Sequence, residues 1–249
     1  MYKLGLVSIS FRKHSPREIL TYMKKAGLGF IEWGSDVHAP QGSLDAVKEI
    51  AALQKEFGIE CCSYGTYFKL GTTPICELEQ YIAAAKLLGT DILRLWCGDK
   101  DSQEYTKEEK EKLFDECKAA AKIAEKHSVK LCMECHNWTY TNTRESALEL
   151  MRAVASPAFC MYWQPNQFRS ENENIEYAAA LADYTEHIHV FNWKGEEKFP
   201  LKCAQSIWQK YLAQFEGDRA LLLEFMPDDN IESLETEAAA LLEIAGGKE

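Results

Sequence analysis

A closed barrel of eight strand–helix units is the fold class this sequence predicts, on three observations. Strand-like and helix-like segments alternate eight times along 249 residues, a length that suits one large domain and is short for two. The strand-like segments are short, continuous apolar runs, as expected of parallel strands covered by helices. Ligand-type residues stand where several of these runs stop, and that is where a (β/α)8 TIM barrel carries its working side chains. A single domain over 1–249 with no internal linker follows.

The strands read as Leu4–Ser10, Gly29–Trp33, Glu60–Tyr64, Ile92–Trp96, Lys130–Glu134, Ala158–Gln164, His187–Asn192 and Ala220–Phe225. Helices fall between them. Ser15 and Pro16 open the first, as N-cap and first helical residue, and Gly27 closes it. Ser43–Glu56 places Leu44, Val47, Ile50 and Leu53 at helical spacing and stops before Gly58. Pro74–Leu88, Thr106–His127, Thr143–Val154, Ile175–Ala182, Leu201–Phe215 and Ile231–Ile244 complete the set. No G-x-G-x-x-G follows a strand, which makes a dinucleotide-binding sheet the weaker option.

Composition narrows the class of partner. A net charge of −11, from 28 basic and 39 acidic side chains, disfavours nucleic acid, whose binding rests on neutralising phosphates. No run of 18 apolar residues exists to span a membrane, and MYKLGLVSIS reads as a strand rather than a secretory signal. Nine cysteines are scattered through apolar segments. Cys132 and Cys135 have CxxC spacing but straddle Glu134, so free thiols in a reducing cytoplasm are expected.

The strand ends carry the chemistry. In KLCMECHNW, Glu134 closes an apolar strand and His136 follows; EHIHVFNW puts His187 and His189 on one face; ALLLEFMP places Glu224 after three leucines. Buried carboxylates are costly unless paired or bound to metal, so these ends suggest one shared site. Trp33 and His38 follow strand two, Tyr64 ends strand three, Arg94 and Trp96 close strand four, Gln164 and Gln167 follow strand six, and Trp193 follows strand seven. Aromatic faces there suit the C–H faces of sugars, although plain packing would also explain them. His38 and His136 are open between substrate contact and structure; His187 sits deeper and reads as a core histidine, and His14 and His127 as surface residues. Glu32 and Arg94 lie inside strands and are expected to pair.

On these residues the whole chain resembles the sugar-phosphate isomerase/epimerase family with the xylose-isomerase-like TIM barrel. Glu134 within ECHN, His189 within HIHV and Glu224 within LLLEF match three of that family's four metal ligands. The fourth, an aspartate within D-P-x-H, is replaced here by Gln164 within QPNQ, and Gln167 stands on the substrate-contacting histidine. The resemblance implies a divalent metal (Mn, Mg, Co or Zn) held by Glu134, Gln164, His189 and Glu224, weakened by the lost charge. It implies a small carbohydrate as substrate, with the two glutamates removing and returning a proton next to its carbonyl through an enediolate. His38, Trp33, Tyr64, Arg94, Trp96, His136, Gln167 and Trp193 are the substrate-binding candidates. Three other readings stay open: a sugar-binding barrel that has lost its metal, a lyase or dehydratase on the same scaffold, and a three-metal repair nuclease. The acidic charge and the absent strand-six ligands count against the last. Oligomeric state is left open, a homo-oligomer included.

Overall fold

A computed structural model describes residues 2–246. Eight parallel strands close into one barrel: β1 (Lys3–Val7), β2 (Phe30–Gly34), β3 (Glu60–Leu70), β4 (Ile92–Cys97), β5 (Lys130–Glu134), β6 (Phe159–Trp163), β7 (Thr185–Val190) and β8 (Ala220–Leu223). Each pairs with its sequence neighbours, and β8 pairs with β1 to seal the sheet. A two-stranded ribbon, Trp193–Lys194 with Glu197–Lys198, decorates the loop after β7. Helices α1 (Pro16–Lys25), α2 (Leu44–Phe57), α3 (Leu78–Leu88), α4 (Lys107–His127), α5 (Arg144–Val154), α6 (Glu171–Leu181), α7 (Gln205–Leu212) and α8 (Leu234–Gly246) form the outer ring.

Local chemistry sets the helix boundaries. Ser15 caps α1 by accepting from the Glu18 N–H while the Glu18 carboxylate accepts from the Ser15 N–H. Gly58 and Gly89 close α2 and α3 in the left-handed conformation that glycine adopts without strain. Some boundaries depart from the sequence reading. β1 stops at Val7 because Ser8–Phe11 coils into a 3-10 turn, and β3 continues to Leu70 through a register shift between Gly65 and Lys69. α6 starts at Glu171, not Ile175, because Ser170 and Glu173 build a capping box there. α3, α7 and α8 start late, each after a 3-10 turn.

Two apolar clusters divide the interior. The larger lies between sheet and helices and takes outward residues such as Ile31, Leu93, Leu95, Leu131, Met133 and Ile188. The smaller fills the lumen with Val7, Ile92, Cys132, Cys160, Ala220 and Leu222. Strands therefore alternate after all: helix-facing residues are apolar, while lumen-facing residues turn polar towards the C-terminal end. All nine cysteines are free. Among the described residues no helix is long and apolar enough to cross a membrane.

Candidate active site

Alternation decides which strand-end residues meet. Leu131 and Met133 face the helices, so Cys132 and Glu134 enter the lumen; Ile188 and Val190 do the same for His187 and His189, and Leu221 and Leu223 for Glu224. Ligand atoms of Glu134, His189 and Glu224 consequently lie within 4.8 Å of one another. A cavity of about 220 Å³ opens above them at the C-terminal mouth. Its wall includes Arg94, Trp96, Glu134, Gln164 and Glu224, with Arg12, Tyr67, His136, Gln167, Phe191, Trp193 and Phe225 around the rim.

His189 is the hub. Its Nδ1 lies 3.1 Å from Gln164 Oε1, 3.4 Å from Glu134 Oε1 and 3.6 Å from Glu224 Oε2. Four donors of the type that suits a hard or borderline divalent cation thus face one point, three oxygens and one imidazole nitrogen. Gln164 is fixed in that pose because its Nε2 donates to the Cys135 carbonyl at 3.1 Å. Glu134 divides its oxygens. Oε2 accepts from Arg94 Nη1 at 3.1 Å and from Trp96 Nε1, leaving Oε1 for the site. Glu224 accepts no hydrogen bond among the described residues. The residues present fit a divalent metal with one anionic ligand fewer than a three-carboxylate set.

Beneath these donors lies a fully buried ion pair. Arg94 Nε sits 3.3 Å from Glu32 Oε1, and the two side chains are 1% and 0% exposed. The expected partnership is present, and the guanidinium also bridges to Glu134 and donates to the Thr66 carbonyl at 3.3 Å. Glu32 Oε2 accepts from Ser63 Oγ at 2.8 Å, and its Oε1 lies 3.5 Å from His189 Nε2. Gly65 makes room for this arrangement: a Cβ there would lie 2.4 Å from Glu32 Oε1 and 2.9 Å from Arg94 Nη2.

Charge fixes the protonation of each group in the metal-free chain. Burial would push the His189 imidazolium down, but Glu224, Glu32 and Glu134 outweigh it and lift its pKa to about 10. Burial would raise Glu32, yet His189 and Arg94 hold it down at about 2. Glu134 is likewise held well below the usual carboxylate range, Arg94 overcoming the cost of burial. Glu224 goes the other way. Burial, reinforced by the like charges of Glu134 and Glu32, outweighs His189 and Arg94 and raises it.

The sequence-predicted residues separate cleanly. Arg94, Trp96, His136, Gln167 and Trp193 line the cavity. Trp33, Tyr64 and His38 do not. Trp33 and Tyr64 point outward because Glu32 and Ser63, their strand neighbours, point inward; Trp33 Nε1 donates to Gln54 at 2.9 Å and Tyr64 OH to the Ala39 carbonyl. His38 is buried between Ser8 Oγ and the His14 carbonyl, at 3.0 and 3.2 Å. Two further tryptophans near strand ends also stay out of the cavity: Trp163 packs under α7 and Trp138 is 66% exposed. Arg12, Tyr67, Phe191 and Phe225 were not among the sequence candidates. Arg12 lies in a turn and Phe225 follows β8 with a left-handed backbone, so no period reports their direction, whereas Phe191 continues the inward parity of His187 and His189 and Tyr67 lies within β3.

The profile of the xylose isomerase-like TIM barrel family matches residues 20–219, and the chain belongs to that family. A curated relative, the 3-dehydroshikimate dehydratase of Bacillus anthracis, is 24% identical over 208 residues, covering 76% of this chain and 71% of that protein. The crystal structure of a probable 3-DHS dehydratase from Bacillus anthracis superposes with a TM-score of 0.79 at 18% identity, covering 96% of this chain and 98% of the other. D-psicose 3-epimerase from Clostridium cellulolyticum H10 superposes with a TM-score of 0.72 at 15% identity, covering 98% of each chain. These superpositions concern the fold.

Proposed function

We propose that this chain is a divalent-metal-dependent enzyme that moves a proton on the carbon beside a carbonyl, as an isomerase or epimerase of a small carbohydrate. The convergence of Glu134, His189 and Glu224 beneath one cavity carries the reading. A divalent cation bound there would act as a Lewis acid on the substrate's carbonyl and hydroxyl oxygens. The chain's own residues divide the remaining work unequally. Glu134, clamped by Arg94 and Trp96, is held in place and orients; Glu224, whose carboxylate accepts no hydrogen bond among the described residues, is the carboxyl free to take and return a proton. Trp96, Tyr67, Phe191, Trp193 and Phe225 exclude water around the reacting carbon.

A dehydratase is the second reading, favoured by the curated relative. The same enediolate can expel a β-hydroxyl, and the aromatic wall suits a flat cyclic hydroxyketone. One experiment tests both. Purified protein supplied with Mn²⁺ in D₂O is incubated with candidate ketoses and with 3-dehydroshikimate. Metal-dependent deuterium wash-in that falls by about 10²–10⁴-fold in Glu224→Gln supports the proton-transfer reading. Water loss with a new ultraviolet chromophore, and no wash-in, selects the dehydratase. Absence of both reactions with every added metal rules against the enzyme reading and favours a sugar-binding barrel.

A further inference from the structure

Glu32 touches neither the cavity nor the position a metal would take, yet it contacts both arms of the donor set. Its Oε1 faces Arg94 Nε at 3.3 Å and His189 Nε2 at 3.5 Å, while Oε2 is engaged by Ser63. His189 Nε2 is buried and makes no full hydrogen bond, so Glu32 Oε1 is the acceptor closest to providing one. On the other side of the ring, Nδ1 faces Gln164, Glu134 and Glu224. An imidazole that ligates a metal must present a bare nitrogen to it, and the proton on its second nitrogen is usually held by a carboxylate or carbonyl. We propose that Glu32 is a positioning residue: it holds the proton of His189 on Nε2, leaving Nδ1 free for a divalent metal, and through Arg94 it places Glu134 in the same donor set.

This inference rests on the metal-dependent reading above. It explains why a fully buried carboxylate outside the cavity lining stands at the centre of the barrel, with a hydroxyl donor on one oxygen and a glycine opposite the other. A carboxylate serving only as counter-charge to Arg94 would need no particular relation to the imidazole. Here one oxygen serves both partners, so the geometry of Arg94 and that of His189 are coupled through a single atom.

The test uses the full chain with Zn²⁺ as probe. Calorimetric titration gives affinity, and ¹⁵N-histidine spectra of the zinc-loaded protein show which nitrogen of His189 carries the proton. Wild type should hold the proton on Nε2 and the metal on Nδ1, and Glu32→Gln should bind Zn²⁺ about 10–100-fold more weakly, with the Nε2 proton resonance shifted or lost to exchange. If Glu32 is only a counter-charge, Glu32→Gln will melt at a lower temperature with unchanged affinity and an unchanged His189 spectrum, and the proposal falls. Should Glu32→Gln not fold, the wild-type spectrum decides: a proton on Nδ1 with metal on Nε2 overturns it. Wild type that takes up no Zn²⁺ at this site overturns the metal reading and this inference together, whereas uptake without dependence on Glu32 overturns this inference alone.

Discussion

His187 and His189 lie two residues apart on β7, enter the same lumen and are electrostatic opposites. His187 stands on the lower floor with Cys62, Cys132, Cys160 and Leu222, where burial lowers its pKa and its Nδ1 meets the backbone at Glu186 and Ala220. His189 stands one layer up among Glu32, Glu134 and Glu224, which lift its pKa to about 10 despite complete burial. Burial alone favours a neutral imidazole; burial beside carboxylates favours the cation. The lower floor is thus a packed plug and the upper floor a charged device.

The sharpest way to break the comparison is to remove the upper floor's central cation. Arg94→Met strands Glu32 and Glu134 without their partner, and should cost roughly 3–5 kcal/mol of stability, read by chemical denaturation. A loss below about 1 kcal/mol would mean that the carboxylates find protons or water instead.

Acidity provides the next test. His189 is an imidazolium near neutral pH in the metal-free protein, so metal uptake must displace its proton. Apparent Mn²⁺ affinity should therefore rise about tenfold per pH unit between pH 6 and 8, with one proton released per metal in calorimetry across buffers of different ionisation enthalpy. The stability of the metal-free protein should run in the opposite direction. A folded pKa raised to about 10 contributes fully below the ordinary 6.5 and is lost as pH rises towards 10. Glu32, depressed to about 2, contributes fully above 4.5, and that contribution is lost as pH falls from 4.5 towards about 2.

Smaller effects separate the floors further. Gly65→Ala places a methyl against the Glu32–Arg94 pair and should cost about 1–3 kcal/mol, together with weaker metal binding. Cys132→Ala on the lower floor should cost only about 1 kcal/mol and leave metal affinity unchanged. An equal effect of both on affinity would erase the distinction between plug and device.

The same two floors show what was legible in the sequence. Glu134 and Glu224 could be read because each closes an apolar run, and His189 because it alternates with outward Ile188 and Val190; an ionisable residue at such a point has few places to go except a shared lumen. The Glu32–Arg94 pairing could be read because neither charge survives alone inside a strand. Trp33 and Tyr64 were misplaced because nearness to a strand end does not reveal the face; the inward parity of Glu32 and Ser63 was the signal that would have turned them outward. Arg12 and Phe225 reach the cavity from a turn and from a left-handed residue after β8, where no period of 2 or 3.6 reports direction, while Phe191 continues the inward parity of His187 and His189. Gln164 was legible as a ligand position only through the family resemblance; that its Oε1 faces His189 follows from the Nε2 bond to the Cys135 carbonyl, which the sequence does not report.

The central claim is that Glu134, Gln164, His189 and Glu224 together hold a divalent metal. Its most direct test is anomalous diffraction from crystals of the protein grown with Mn²⁺. One peak is expected, in contact with Glu134 Oε1, Gln164 Oε1, His189 Nδ1 and the Glu224 carboxylate, and it should vanish in Glu134→Gln/Glu224→Gln. No peak at this point with millimolar Mn²⁺, and a His189–Glu224 contact that closes directly instead, would contradict the account.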